Sequence, residues 1–200
     1  MRSPKDFFRP LAVGAPMPLR EIPSRPSRMI HFFPASNPKM VAKLPELATK
    51  VDVLLANLED GVPAKEKEAA RQGLIDVGRT VDFGNAQFWT RVNSLDSPWG
   101  LDDLIAAVTE VGDVLDVIMI PKVEGAEDIH YVDRLLAQLE AKAGLSRPIQ
   151  VHAILETARG VVNVEEICAA SPRMQGALSR PCRSRSKPQD EDHPGGGRSP

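Results

Sequence analysis

The stretch VHAILET (151–157) ends an apolar run on a carboxylate. Strand alternation places His152, Ile154 and Glu156 on one face, so Glu156 is an acid at the rim of an otherwise apolar strand. A carboxylate taken out of water needs a partner. Three kinds suit it. One is a hard divalent cation such as Mg2+, which takes carboxylate oxygens and keeps waters for a substrate. Another is a cation of the chain, Arg91 or Lys122. The third is the start of the next helix, which Glu156 would cap. His152 is either a second metal-binding group or a hydrogen-bonded core histidine.

The second chemically suggestive stretch is WTRVNS (89–94), where Trp89, Arg91 and Asn93 share a strand face. A guanidinium at a strand end suits a bidentate grip on a carboxylate or carbonyl oxygen. It equally suits a structural salt bridge to Glu59 or Asp60. In LEDG (58–61) adjacent acids point to opposite faces, so only one reaches the interior, and the other meets the helix layer or a neighbouring helix N-terminus. Lys122 in IMIPKVE (118–124) either meets an anionic substrate or neutralises these acids. The run AKEKEAAR (64–71) reads as a solvated helix face with i,i+4 charge pairs.

These residues need a scaffold, and the chain supplies a regular beat. Strands are expected at 28–33, 51–60, 86–94, 114–124 and 149–157. Helices are expected at 37–48, 64–81 (with Ala69, Leu74 and Val77 on its apolar side), 101–112, 126–144 and 161–171. Five strand-then-helix units with near-continuous apolar strands imply a parallel sheet covered by helices. Polar residues fall at the C-terminal end of strand after strand: Glu59 and Asp60, Arg91 and Asn93, Lys122 and Glu124, Glu156. Sites of (β/α)8 barrels are built there. No glycine-rich phosphate fingerprint follows the first strand, against a dinucleotide fold. The expected class is α/β, a TIM-barrel wall of about five βα units preceded by a Pro-rich arm over 1–27.

Composition narrows the function. The 200 residues carry a net charge of −2, so nothing draws the chain to nucleic acid or to a membrane surface. There is no apolar run long enough for a spanning helix and no signal-peptide pattern. Two cysteines, Cys168 and Cys182, give no disulfide framework, and a cytoplasmic setting is expected.

NLEDGVPAKEKEAAR, RVNSLDSPW, DVIMIPKVEG and HAILETARGVVNVEEICAASPRMQG, in this order, resemble the HpcH/HpaI aldolase/citrate lyase β-subunit superfamily, and within it the malyl-CoA lyase branch. The resemblance covers residues 1–176. It implies a Mg2+-dependent (β/α)8 barrel, with Mn2+ as a possible substitute, that cleaves malyl-CoA or β-methylmalyl-CoA to glyoxylate and acetyl-CoA or propionyl-CoA. Citramalyl-CoA cleavage and malyl-CoA hydrolysis are alternatives on the same scaffold, and a non-catalytic binding remnant is a third. It further implies that Glu156 is a metal ligand and that Arg91 binds substrate and steadies the enolate oxygen. Phe32 and either Lys39 or Lys43 fall where the family meets the CoA thioester. The chain reads PASNP where the family commonly reads PGSRP, so Asn37 replaces an arginine and the CoA contacts are in question. Full-length members are expected to be homo-oligomers.

After MQG the resemblance stops. The family continues with a strand bearing the second metal carboxylate, whereas residues 177–200 are rich in Arg, Ser, Pro and Gly with no matching aspartate. Codons compatible with PCRSRSKPQDEDHPGGGRSP give, one base later, PADLAASRRMKTTRVGGGHP, which resembles the family's continuation. A frameshift near residues 177–181 is therefore expected, and the rival is a functional disordered tail. On this reading the lyase domain spans 28–176, lacks its second metal ligand and last strands, and is inactive alone, with unpaired edges at strands one and five.

Overall fold

The structure is a computed structural model, and it describes residues 25–179. The arm, except its last three residues, and the tail beyond Ser179 lie outside the described residues. Six strands form one all-parallel sheet: β1 (Ile30–Phe33), β2 (Val53–Asn57), β3 (Gln87–Arg91), β4 (Val117–Ile120), β5 (Gln150–Leu155) and β6 (Met174–Ser179). They lie in chain order, each beside the next. Seven helices connect them: α1 (Pro38–Val41), α2 (Leu44–Ala48), α3 (Lys67–Thr80), α4 (Gly100–Val111), α5 (Ala126–Ala143), α6 (Ala158–Val162) and α7 (Val164–Ala169).

Two separate clusters show which face is which. Leu54, Ala56, Phe88, Ile118, Val151 and Ala153 pack with Leu74, Val77, Leu104, Val108, Ile129 and Leu136 of the helices. The opposite face holds Val53, Leu55, Trp89, Val117, Met119 and Ile154, all from strands, with Ile30 against them. Helices on one face only, and a strand order that never reverses, make this the wall of a barrel rather than a doubly wound sheet.

Local chemistry sets the boundaries. α5 begins where Asp128 accepts the N–H groups of Glu124 (2.8 Å) and Gly125 (3.4 Å), and ends at Gly144 with φ 70°, a left-handed stop. Thr157 caps α6 by accepting the Gly160 N–H at 3.1 Å. A Cβ at Gly160 would stand 2.2 Å from the Val123 carbonyl, so only glycine lets α6 approach the β4–α5 loop.

Several expectations need correction. The helix expected over 37–48 is two short helices, because Pro45 lacks an N–H and restarts the helix in its first turn. The helix over 161–171 is likewise two, α6 and α7, meeting at Asn163. In α3 the buried stripe is Lys67, Ala70, Leu74 and Val77, whereas Ala69 is exposed. There is also a sixth strand, so the free edges of the described sheet are β1 and β6 rather than strands one and five.

Candidate active site at the C-terminal rim

The strand register brings Asn57 opposite Arg91, Arg91 opposite Met119, and Met119 opposite His152. Arg91 is 4% exposed, and four groups fix its guanidinium. Nε donates to Asn57 Oδ1 at 2.8 Å, and Nη2 donates to the Asp60 carbonyl at 3.4 Å. Nη1 is 3.2 Å from Glu59 Oε2, and the Phe32 ring lies 5.5 Å from Cζ. Of the two readings of Arg91, the structure shows the salt bridge to Glu59, made beside the Phe32 ring at the rim.

Glu59 is the buried member of the acid pair and Asp60 the exposed one. Besides Arg91 it holds Lys122, whose Nζ is 3.1 Å from Oε1. Lys122 stays half exposed and takes φ 55°, the one positive φ at a non-glycine among the described residues. Burial lowers its pKa, but the adjoining Glu59 carboxylate, with Asp60 and Glu156 further off, outweighs this and holds it above the ordinary lysine value. The ammonium borders a cleft of about 330 Å³ shared with Ser94, Asp96, Thr157 and Arg159.

Glu156 follows directly on β5, and its Oε1 is buried with no hydrogen-bond partner among the described residues. Neither Arg91 nor Lys122 pairs with it, since both turn to Glu59. The cap of α6 is Thr157. No group of three His, Cys, Asp or Glu side chains able to hold a metal occurs among the described residues. One orphaned carboxylate fits an ion that binds through one or two carboxylates and otherwise through water and substrate oxygens. Glu59 Oε1 and Oε2 and Arg91 Nη1 are also buried without an aligned hydrogen bond, their ion pairs notwithstanding.

The remaining candidates fall apart in space or role. Lys39 borders a cleft with Pro34, Ser36, Pro38, Gly61 and Glu66, at the rim end of β1 and β2. Lys43 is exposed where α2 starts, and its charge acts on Glu46. Asn37 caps α1 by accepting from Lys39 N (3.0 Å) and Met40 N (3.3 Å). His152 is buried against the ring of Trp89: Nδ1 is 2.7 Å from Gln175 Oε1, while Nε2 has no hydrogen-bond partner among the described residues.

Lys67 corrects the reading of AKEKEAAR as a solvated face. It is 6% exposed, and its ammonium donates to the carbonyls of Leu58 (2.7 Å) and Glu59 (2.9 Å) and to Asn93 Oδ1 (2.5 Å). Asn93 is fixed in turn by Asp103, which accepts its N–H (2.9 Å) and its side-chain amide (2.6 Å) and also takes Arg71 Nε at 3.0 Å. The signal was present in the spacing: Lys67 lies on the same stripe as Ala70, Leu74 and Val77.

Over residues 28–179 the chain matches the family described as HpcH/HpaI aldolase/citrate lyase. It is 57% identical over 171 residues to a malyl-CoA/β-methylmalyl-CoA/citramalyl-CoA lyase of Chloroflexus aurantiacus, covering 86% of this chain and 49% of that one. An L-malyl-CoA/β-methylmalyl-CoA lyase of Cereibacter sphaeroides is 40% identical over 153 residues, covering 76% and 48%. The structure superposes with a TM-score of 0.56 on protein CitE from Mycobacterium tuberculosis in complex with magnesium, acetoacetate and coenzyme A, at 29% identity, covering 75% of this chain and 47% of that one. The chain therefore spans about half the length of the curated relatives it matches.

Proposed function

The chain belongs to the HpcH/HpaI aldolase/citrate lyase family, and on that footing we propose that it carries the first half of a Mg2+-dependent carbon–carbon lyase acting on malyl-CoA or β-methylmalyl-CoA. The products are glyoxylate and acetyl-CoA or propionyl-CoA. The observation that carries this reading is the Arg91 guanidinium, fixed at the rim by Asn57, Glu59 and Phe32.

The chemistry explains why a fixed cation belongs there. Cleavage of the Cα–Cβ bond leaves its electron pair on the acyl fragment as a thioester enolate, while the β-hydroxyl gives its proton to a base and its carbon becomes the aldehyde of glyoxylate. A proton returned to the enolate carbon completes acetyl-CoA or propionyl-CoA. Negative charge gathers on the thioester oxygen. A guanidinium already held in place meets that charge without reorganising. Arg91 has its Nε committed to Asn57 and its Nη1 paired with Glu59, so the group is held in place before any charge develops. Phe32 covers the guanidinium and limits its access to water. Lys39, on its cleft, is the better placed of the two lysines for the anionic CoA moiety. Glu156 would hold the magnesium through its orphaned Oε1, and the ion would supply Lewis-acid polarisation of the keto-acid oxygen. The second metal carboxylate and the remaining wall have to come from outside the described residues.

The test is an assay of residues 1–179 joined to the C-terminal half of the Chloroflexus aurantiacus relative, with malyl-CoA and Mg2+. Glyoxylate and acetyl-CoA are expected in equal amounts. Arg91→Ala is expected to lower the rate by about two to three orders of magnitude, the usual cost of losing one such contact. Free malate without glyoxylate would replace the lyase with a thioesterase.

A further inference from the structure

We propose that Lys67 is a positioning residue for the Arg91 centre: one buried ammonium ties the end of β2, which carries Glu59, to the end of β3, which carries Arg91. The inference rests on the reading of Arg91 given above and concerns the group that sets its place. Glu59 must face two cations at once, Arg91 at 3.2 Å and Lys122 at 3.1 Å, and it can do so only if its backbone is fixed.

From the strand side, Asn57 fixes this turn. Its Oδ1 accepts the Glu59 N–H at 3.1 Å and its amide donates to the Asp60 carbonyl at 2.5 Å. From the helix side the fixing group is Lys67, through two consecutive carbonyls, Leu58 and Glu59. Its third bond, to Asn93 two residues beyond Arg91, leads through Asp103 to Arg71 and so locks the β3 end between α3 and α4. A neutral side chain offers no comparable set of donors, since an ammonium brings three and no acceptor. The Trp99 ring lies 5.4 Å from Nζ and adds a cation–π contact. Burial pulls the Lys67 pKa below the ordinary lysine value, while the charges of Asp103, Glu59 and Asp60 act to keep the proton on.

Covalent labelling of the 200-residue chain at micromolar concentration, read by mass spectrometry, tests this without turnover. A failed lyase assay and a failed Lys67 test are therefore distinguishable. In the unaltered chain, brief acetylation is expected to modify Lys67 at least about tenfold more slowly than exposed Lys65, because the ammonium is reached only by local opening. Equal rates would overturn the proposal. In Lys67→Met, phenylglyoxal is expected to modify Arg91 at least about tenfold faster than in the unaltered chain. Arg173, 3% exposed at the opposite end of the sheet, is expected to keep its rate. No acceleration at Arg91 would overturn the proposal. Acceleration at both arginines would overturn it as well, because it would mark Lys67 as general scaffold.

Discussion

Arg91 and Lys122 share a single buried carboxylate, Glu59, and the two pairs differ in what they are worth. The Arg91–Glu59 pair is almost fully buried, so removing the charge of Glu59 strands a buried guanidinium. Breaking a buried pair on one side costs about 3–5 kcal/mol, and Glu59→Gln is expected near the lower end because the amide still fills the space. Urea unfolding measures this, and a loss under about 1 kcal/mol would show the pair to be incidental. Lys122 is the opposite case. Its half-exposed pair is worth about 0–1 kcal/mol, and relief of its positive φ by glycine returns about 1–2 kcal/mol. Lys122→Gly is therefore expected to leave stability unchanged or slightly raised, and a clear loss in the same urea experiment would contradict that balance. The sequence made Arg91, Glu59 and Glu156 visible because charged residues stood at the ends of apolar strands. It hid Lys67, because a lysine among KEKE charges looks solvated until its place on the apolar stripe is counted.

At the level of elements, the other end of the sheet is held by a second buried ion cluster. Arg173, just before β6, donates to both oxygens of Glu140 on α5 (2.5 and 2.7 Å) and to the Ile149 carbonyl (3.0 Å), and it also pairs with Asp133. Glu140 is wholly buried and accepts the Ile149 N–H at 2.7 Å as well. This fastens α5 to the starts of β5 and β6. Glu140→Ala is expected to cost about 3–5 kcal/mol, measured by urea unfolding, while the rim stays intact because no residue is shared between the clusters. Strands β2, β4 and β5 were legible as near-continuous apolar runs, β3 by its period-two alternation, and α5 because Gly144 marks its end. β6 was not: MQGALS is half exposed, carries Gln and Ser, and shows no apolar alternation to read. Helix breaks at Pro45 and Asn163 were missed for a different reason, since apolar spacing continues across them while the backbone does not.

For the whole molecule, two features follow from the barrel-wall arrangement. The interior keeps a histidine: burial lowers the pKa of His152 and the bond to Gln175 opposes this only in part. The folded chain then binds this proton less readily than the unfolded chain. Stability from this source is full above the ordinary histidine pKa and falls as pH drops below it. A urea midpoint that declines from about pH 7 to pH 5 is expected, with a shallower decline in His152→Gln. Identical slopes would remove His152 from the account. The second feature is that β1 and β6 each pair on one side only among the described residues, while the family members it matches are twice as long. The fold class was readable from rhythm alone, but the extent of the wall was not, because the last strand lacks the signal its neighbours carry.

The most direct measurement of the central claim is glyoxylate release from malyl-CoA by the joined protein, residues 1–179 followed by the C-terminal half of the Chloroflexus aurantiacus relative, compared with its Glu156→Gln form, each with Mg2+ and with the ion chelated. Turnover that needs Mg2+ and falls by about two orders of magnitude or more in Glu156→Gln is the predicted result. Turnover that persists undiminished in Glu156→Gln with the ion removed would contradict it.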